Sequence, residues 1–361
     1  MKIGIEEEFL VVDPDTLFYT PGALRLLNAL VYRDINYLKK SNTELPLNSN
    51  MLERPFSDLK KAFSVVEIKT SPLEDIQDLK KELNEHRSNL VTVAEENNLI
   101  LIPTGIHPIH TEKNTLPDNC ASLHIHLENE SEKYYSRLLG MVPFFISIST
   151  NSPFYGGRFK AMSSRALLSP HMGPPRNRFS RSSDLIINKS LNTVELRTLD
   201  VQITTDETIG LVQMLKTVAE NNIFDGDVSR KKYSKERKMA IQKGRGSVII
   251  DDEKYDLLRN SGKYAKSLLD GTNGSEWQVK TAEQNNLSSL VVSLWESFRN
   301  NKRKVKKSSI EIKEVVKWKD MTYLLPYSPF LFMEKYKKYH QDLAYLDEYK
   351  GKTEKIFVDD L

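Results

Sequence analysis

The first strand of this chain constrains its fold most, because it places three adjacent carboxylates inside an apolar run. Residues 1–13 read Met-Lys-Ile-Gly-Ile-Glu-Glu-Glu-Phe-Leu-Val-Val-Asp, and Pro14 begins a turn. Side chains alternate along a strand, so Glu6 and Glu8 are predicted on one face and Glu7 on the other. Two carboxylates about 7 Å apart on a buried strand repel each other and lose hydration.

Two interpretations of this strand stay open from its residues alone. A divalent cation between Glu6 and Glu8 would stabilise the pair, since hard cations such as Mg²⁺ prefer oxygen ligands. An edge strand with solvated glutamates is the alternative. Because the flanking residues are apolar and no lysine or arginine partner is evident, the metal-binding strand and the solvated edge strand are about equally favoured. Other segments must decide between them.

The composition is typical of a soluble globular protein. Of the 361 residues 39% are hydrophobic and 28% are charged. The net charge of +3, from 52 basic and 49 acidic residues, is too balanced to predict nucleic-acid or membrane binding. The single cysteine, Cys120, cannot form an intrachain disulfide and predicts a reducing, cytoplasmic location. Neither a signal peptide nor an apolar run long enough to span a bilayer is evident.

The order of apolar patterns predicts an α+β fold. Strands are predicted over residues 1–13, 63–70, 99–104, 122–127 and 193–199, and helices over 21–37, 73–97, 131–148, 206–221, 287–301 and 330–349. Strands that alternate with helices, yet carry polar residues on one face, indicate a sheet open to a ligand on that face. Without an internal repeat or a low-complexity linker, we expect one domain over 1–361, with its core in 1–245 and a helical C-terminal part in 246–361.

Four predicted strands each place ionisable side chains on a single face. By strand they are Glu6 and Glu8; Glu67; His124 and His126; Glu195 and Arg197. Carboxylates and imidazoles hold Mg²⁺ or Mn²⁺, and an arginine offers a planar fork of donors to a phosphate. Several glutamates without thiolates favour these metals over zinc. The residues therefore predict phosphoryl transfer, in a chain that lacks both a P-loop and a dinucleotide-binding motif.

Irregular, basic segments supply the candidates for substrate and nucleotide binding. Loops at 151–157 and 171–179, and the segment between them, contribute Ser152, Arg165 and Arg178, although each arginine alone is more often a surface residue. The basic run 229–245 contains Arg237 and Lys243. Its pattern is that of a solvated helix face or of a lid over an anionic nucleotide, and both interpretations stay open.

Six motifs, in order, resemble those of the glutamate–cysteine ligase type 2 family (YbdK-like carboxylate–amine ligases). They extend over about two thirds of the chain, to about residue 245. The similar segments are Gly-Ile-Glu-Glu-Glu-Phe at 4–9, Val-Glu-Ile-Lys-Thr at 66–70, Gly-Ile-His-Pro at 105–108, Leu-His-Ile-His at 123–126, Asn-Ser-Pro-Phe-Tyr-Gly-Gly at 151–157 and Thr-Val-Glu-Leu-Arg-Thr-Leu-Asp at 193–200.

The resemblance implies a glutamine synthetase/guanido kinase-like fold: a curved, mostly antiparallel sheet with helices on its convex face. It also implies ATP, Mg²⁺ or Mn²⁺ and an amino acid on the concave face. By position the metal ligands would be Glu6, Glu8, Glu67, His124 and Glu195. His126 and Arg197 would contact the phosphates and, with Glu67, form the catalytic set. The basic and irregular segments described above, rather than the resemblance, supply the other candidates: Arg237 and Lys243 for nucleotide binding, and Arg165, Arg178 and Ser152 for substrate binding.

The implied activity is ATP-dependent ligation of the glutamate γ-carboxylate to an amine, foremost cysteine as in glutathione biosynthesis, through a γ-glutamyl phosphate. A homodimer is expected by analogy. The chain departs from the family at Ala121-Ser122, where Cys-Gly is usual, at Glu128, where glycine is usual, and in a shorter segment between His107 and His124. The acceptor amine therefore stays open. A phosphotransferase of the same fold and a non-catalytic nucleotide- or amino-acid-binding protein are the alternatives.

Overall fold

A six-stranded antiparallel sheet organises the computed structural model, which describes residues 1–20, 22–33, 64–109, 120–128, 132–169 and 172–313. Its strands are β1 (Ile3–Val12), β2 (Val65–Lys69), β3 (Ile100–Ile102), β4 (Ser122–Glu128), β7 (Leu185–Asn188) and β8 (Thr193–Asp200). They lie in the order β2-β1-β4-β8-β7, and β3 also pairs with β1. Every pairing is antiparallel, which confirms the predicted α+β class.

A small hairpin lies apart from this sheet. It consists of β5 (Phe154–Tyr155) and β6 (Arg158–Phe159). The turn between them has positive φ at Gly156 (62°) and Gly157 (74°), a conformation that glycine adopts at little cost and that matches the twist of a tight hairpin. The glycine pair therefore ends the predicted loop 151–157 in a defined turn.

Ten α-helices lie in the described ranges. They are α1 (Ala23–Arg33), α2 (Ile76–Glu96), α3 (Glu132–Ser149), α4 (Ser164–Leu168), α5 (Thr205–Glu220), α6 (Arg230–Lys243), α7 (Asp252–Arg259), α8 (Lys263–Asp270), α9 (Gly274–Gln284) and α10 (Leu287–Arg299). The predicted helices agree with α1, α2, α3, α5 and α10 to within a few residues at the described ends. Residues 34–37 and the predicted helix 330–349 lie outside the described residues. None of these helices combines the length and apolar character that crossing a membrane requires.

Side-chain caps explain where the helices α2 and α5 begin. The carboxylate of Asp75 accepts hydrogen bonds from the backbone N–H groups of residues 77 and 78 at the start of α2. At the start of α5, Thr204 and Glu207 form a reciprocal capping box. Both helices present apolar stripes to the core, as the 3.6-residue period predicts.

An ion pair buried between the sheet and these helices fixes the orientation of β1. Arg87 of α2 donates from Nε and Nη2 to the two carboxylate oxygens of Glu7, each at 2.7 Å, and Thr208 of α5 donates to the same carboxylate at 2.7 Å. Glu7 is fully buried. The prediction that Glu7 faces away from Glu6 and Glu8 is therefore confirmed, and its partners are structural.

An extended segment after α10 attaches to that helix through serines. Ser297, Ser293 and Ser289 lie four residues apart on one face of α10, and each exchanges hydrogen bonds with the backbone of one residue of the segment: Lys304, Lys306 and Ser308 respectively. Because the serine hydroxyl both donates and accepts, it satisfies a backbone N–H and C=O at once. The helices after residue 245 agree with the predicted helical part, and the domain boundary itself stays a prediction.

Candidate active site

Three neighbouring strands bring the predicted ionisable residues onto one face of the sheet. In the β1–β4 register Glu6 is opposite His124, and in the β4–β8 register His126 is opposite Glu195. Side chains directly opposite each other on antiparallel strands lie within contact distance. The period-two pattern that predicted the shared face therefore also produces a compact group of side chains.

We call Glu6, His124, His126 and Glu195 the acid–imidazole cluster. His124 Nδ1 lies 3.1 Å from Glu6 Oε2 and 3.8 Å from Glu195 Oε1. His126 Nε2 lies 3.6 Å from Glu6 Oε1, and its Nδ1 lies 3.9 Å from Glu195 Oε2. Each imidazole thus lies between the same two carboxylates, in a part of the sheet that is largely shielded from solvent.

Three members of the cluster could hold a divalent cation. One ligand atom from each of Glu6, His126 and Glu195 lies within 4.8 Å of the other two. Within the described residues, His126 Nε2 is buried without a hydrogen-bond partner, a condition that a metal bond would relieve. Two carboxylates and one imidazole suit Mg²⁺ or Mn²⁺. The residues fit the implied metal, and they bring His126, predicted as a phosphate contact, into the ligand set.

The predicted ligand Glu8 is held by a serine. The backbone N–H and the hydroxyl of Ser122 donate to Glu8 Oε2 at 2.8 and 2.6 Å, and the Ser122 Oγ lies 3.0 Å from His124 Nε2. A hydrogen-bonded chain therefore joins Glu8 to His124 and, through it, to Glu6. Sequence reasoning missed this role of Ser122, although the residue lies two positions before His124 and so shares its strand face.

The predicted ligand Glu67 has a lysine beside it. The Nζ of Lys69 lies 2.9 Å from Glu67 Oε1 and 2.9 Å from Glu6 Oε1. The expectation that the glutamates of β1 have no basic partner is therefore wrong, because the β1–β2 register puts Lys69 directly opposite Glu6. The alternative of an edge strand is also wrong, since β1 pairs on both sides.

Arg197 follows the cluster along β8 and keeps part of its side chain accessible. It donates to the carboxylate of Glu195, which also accepts from Asn188 Nδ2 at 3.0 Å. The side chain of Arg197 is 22% exposed, whereas that of Glu195 is 2% exposed. Arg197 can therefore bind Glu195 and still face an anionic group that enters from solvent.

The electrostatic balance of the cluster favours the ionised form of its two carboxylates. Burial is the largest influence on the pKa of Glu195 and raises it, but the nearby Arg197, His126 and His124 together lower that pKa to about 2. Burial also acts to raise the pKa of Glu6, but the interactions of this carboxylate with His124 and His126 outweigh burial, so the pKa falls well below its usual value. For His126, burial acts to lower the pKa, but the carboxylates of Glu195 and Glu6 raise it by more, so the pKa of His126 is above its usual value.

Two predicted substrate residues lie in a buried network around Asp200. The Asp200 carboxylate accepts from Ser152 Oγ at 2.7 Å and from Arg165 Nε at 2.8 Å. Arg165 also donates to the Thr198 carbonyl and is 2% exposed. At Gly105 a Cβ atom would lie 2.7 Å from an Asp200 oxygen, so the network requires glycine there. This geometry gives Ser152 and Arg165 a structural role, and their substrate role stays a prediction.

The other predicted basic residues lie on the helix α6 and in a loop. Arg237 of α6 pairs with both oxygens of the buried Asp184, at 2.6 and 2.9 Å, and Tyr233 donates to the same carboxylate at 2.8 Å. Arg178 binds Glu132 near the surface, and Lys243 is exposed at the end of α6. The carboxylate partners of Arg237 and Arg178 named above lie outside the acid–imidazole cluster. The ligand-binding roles of Arg237, Arg178 and Lys243 therefore also stay predictions.

The comparisons with known proteins agree with the sequence motifs. The model of the family "Glutamate-cysteine ligase family 2" matches residues 2–120. A relative from Solibacter usitatus is 28% identical over 180 residues, 44% of this chain and 42% of the relative's own length. Relatives from Rubrobacter xylanophilus and Roseiflexus castenholzii are 26% and 23% identical, over 60% and 81% of this chain and 68% and 93% of theirs. The relatives from Solibacter and Roseiflexus are named "Putative glutamate--cysteine ligase 2", and the one from Rubrobacter is named "Putative glutamate--cysteine ligase 2-3".

Two solved structures share the fold. A glutamate–cysteine ligase from Francisella tularensis, in complex with AMP, has a TM-score of 0.52 at 12% identity and covers 98% of this chain and 95% of its own. A bifunctional glutathione synthetase from Pasteurella multocida has a TM-score of 0.50 at 10% identity, over 83% of this chain and 52% of its own. At these identities the likeness concerns the fold. With its ordered motifs and the match over residues 2–120, the chain is therefore similar to glutamate–cysteine ligase family 2.

Proposed function

We propose that this protein is an ATP-dependent carboxylate–amine ligase that joins the γ-carboxylate of glutamate to an amine, with cysteine as the first candidate acceptor. The family match and the names of the relatives support the class of ATP-dependent ligase. The observation that carries the proposal is the acid–imidazole cluster beside Arg197 on one face of the sheet. That set of charges suits a reaction in which phosphoryl oxygens gain negative charge.

The proposed reaction has two steps. An oxygen of the glutamate γ-carboxylate attacks the γ-phosphorus of ATP, and ADP leaves. The amine nitrogen then attacks the carbonyl carbon of the γ-glutamyl phosphate, phosphate leaves with the former carboxylate oxygen, and the nitrogen loses a proton. Arg197 would face the phosphoryl group in both steps, because its partly exposed side chain is held in place by Glu195.

The protein residues in this proposal form a charged frame around the reacting groups. Glu6, His126 and Glu195 would hold Mg²⁺ or Mn²⁺, which when bound neutralises negative charge on phosphate oxygens. Ser122 orients Glu8 and His124 through the hydrogen bonds described above. These contacts limit rotation of the two side chains, so they reduce the reorganisation required when ligands bind.

The pathway and cell location follow only from the choice of acceptor. If the acceptor is cysteine, the product is γ-glutamylcysteine, whose thiol suits the reducing cytoplasm expected from the cysteine usage. The same product would place the protein in glutathione biosynthesis. These assignments, and the homodimer expected by analogy, depend on the experiment below and on measurement of the mass in solution.

We expect one product assay to separate this proposal from its alternatives. The full chain is incubated with ATP, Mg²⁺, glutamate and pooled amines, and the products are identified by mass spectrometry, with each component omitted in turn. The proposal predicts a γ-glutamyl amide, ADP and phosphate that appear only in the complete mixture. Phosphate release that ignores every amino acid would contradict it. A stable phosphorylated product without an amide would select a phosphotransferase.

A further inference from the structure

Lys69 provides a cation beside two carboxylates of the proposed metal centre. Its Nζ lies 2.9 Å from an oxygen of Glu6 and 2.9 Å from an oxygen of Glu67, so it forms an ion pair with each carboxylate. The side chain of Lys69 is 24% exposed and that of Glu67 is 6% exposed. The contact is therefore part of a shielded site on the sheet.

The position of Lys69 follows from the sheet register. β1 and β2 pair Glu6 with Lys69 and Glu8 with Glu67, so all four side chains share one face of the sheet. Glu67 and Lys69 are two residues apart on β2, which lets the ammonium group reach Glu67 on its own strand and Glu6 across the ladder. The arrangement is thus fixed by the backbone.

Each oxygen of Glu6 lies near an imidazole, and one of them also contacts the lysine. Oε1 lies 2.9 Å from Lys69 Nζ and 3.6 Å from His126 Nε2, whereas Oε2 lies 3.1 Å from His124 Nδ1. Lys69 therefore adjoins the trio Glu6, His126 and Glu195 through Glu6. A divalent cation can bind at the trio, while a second one between Glu6 and Glu67 would meet the positive charge of Lys69.

We propose that the Lys69 ammonium group replaces a second divalent cation between Glu6 and Glu67, so that the centre binds one divalent cation, at Glu6, His126 and Glu195. The inference rests on the metal site of the proposed function. Lysine supplies one positive charge to two carboxylates that would otherwise repel each other, as a metal would. Removing that charge should turn Glu67 and the adjacent oxygen of Glu6 into a second cation site.

The test is a titration of the full chain with Mn²⁺ alone, without nucleotide or amino acid, followed by electron paramagnetic resonance of unbound Mn²⁺. We expect the wild type to bind one Mn²⁺ and Lys69→Met to bind two. Lys69→Arg, which keeps the charge, should still bind one. Lys80→Met is the matched control, since Lys80 is 20% exposed and pairs with Asp206 outside the cluster; it should also bind one.

The outcomes distinguish this inference from the proposed function. One Mn²⁺ bound by Lys69→Met, or none or two by the wild type, would overturn the inference, whether or not the product assay yields a γ-glutamyl amide. Circular dichroism checks that each variant is folded, and Lys69→Gln is a second neutral variant should methionine disrupt the sheet. If the stoichiometry behaves as expected and no amide forms, the metal inference stands and the ligase proposal fails.

Discussion

Replacing Glu195 with glutamine is expected to lower kcat/KM for amide formation by roughly 10²- to 10³-fold, the scale on which removal of one preorganised group acts in active sites. Glu195 contacts both imidazoles of the cluster and holds Arg197. Glutamine keeps the shape of the side chain and removes its charge, so the loss reports electrostatics. The measurements are steady-state kinetics of product formation and Mn²⁺ affinity, which should fall together.

Glu128→Gln is the matched control for this experiment. Glu128 ends β4, which also carries both histidines, but its side chain is 46% exposed and its ion-pair partner is the exposed Lys2. Its neutralisation should leave kcat/KM within about twofold, as a surface ion pair contributes little. Equal activity in Glu195→Gln and Glu128→Gln would contradict the role given to the acid–imidazole cluster.

Replacing Arg87 with methionine should lower the free energy of unfolding by about 3 to 5 kcal/mol, the cost of leaving one charge of a buried ion pair without its partner. Arg87 binds both oxygens of Glu7 and also donates to two backbone carbonyls, those of Gln202 and Ile203. Its guanidinium also lies over the rings of Phe9 and Phe298, 5.6 and 5.4 Å from their centroids. Urea denaturation followed by circular dichroism measures the change.

The control for Arg87 is an arginine of α10 in an exposed ion pair. Arg299 is 40% exposed and binds Glu95, itself 45% exposed, and it also binds Glu296, which pairs with Lys306 as well. Arg299→Met should cost no more than about 1 kcal/mol, because water screens such a pair. If Arg87→Met cost as little as Arg299→Met, the account of Glu7 as the structural member of the glutamate triplet would be wrong.

The alternation of side chains correctly predicted which face of β1 each glutamate lies on, but it did not predict the partners of these glutamates. Glu6 and Glu7 separate onto opposite faces because the period of a strand leaves no other choice. The partner of each glutamate comes from another element: Lys69 from the paired strand and Arg87 from a helix 80 residues away in sequence. Cross-strand register and helix docking are set by the whole fold, so a local pattern does not contain them.

The contacts of Arg165 show the same limit: a local pattern does not reveal a partner from a distant part of the chain. Basic residues in an irregular segment favoured substrate binding for Arg165, a role that stays a prediction, and the fold gives this buried arginine a structural partner in Asp200 of β8. Nothing in the segment itself indicates that carboxylate, which lies 35 residues later. By contrast, the helix α2 was predicted closely, because its apolar stripe is a local signal.

The most direct test of the central claim follows oxygen from glutamate to phosphate. Glutamate labelled with ¹⁸O in its γ-carboxylate is incubated with the full chain, ATP, Mg²⁺ and the acceptor amine, and the released phosphate is analysed by mass spectrometry. Activation of the carboxylate as an acyl phosphate predicts one ¹⁸O atom in each phosphate released. Phosphate without the label, formed together with the amide, would contradict the proposed mechanism.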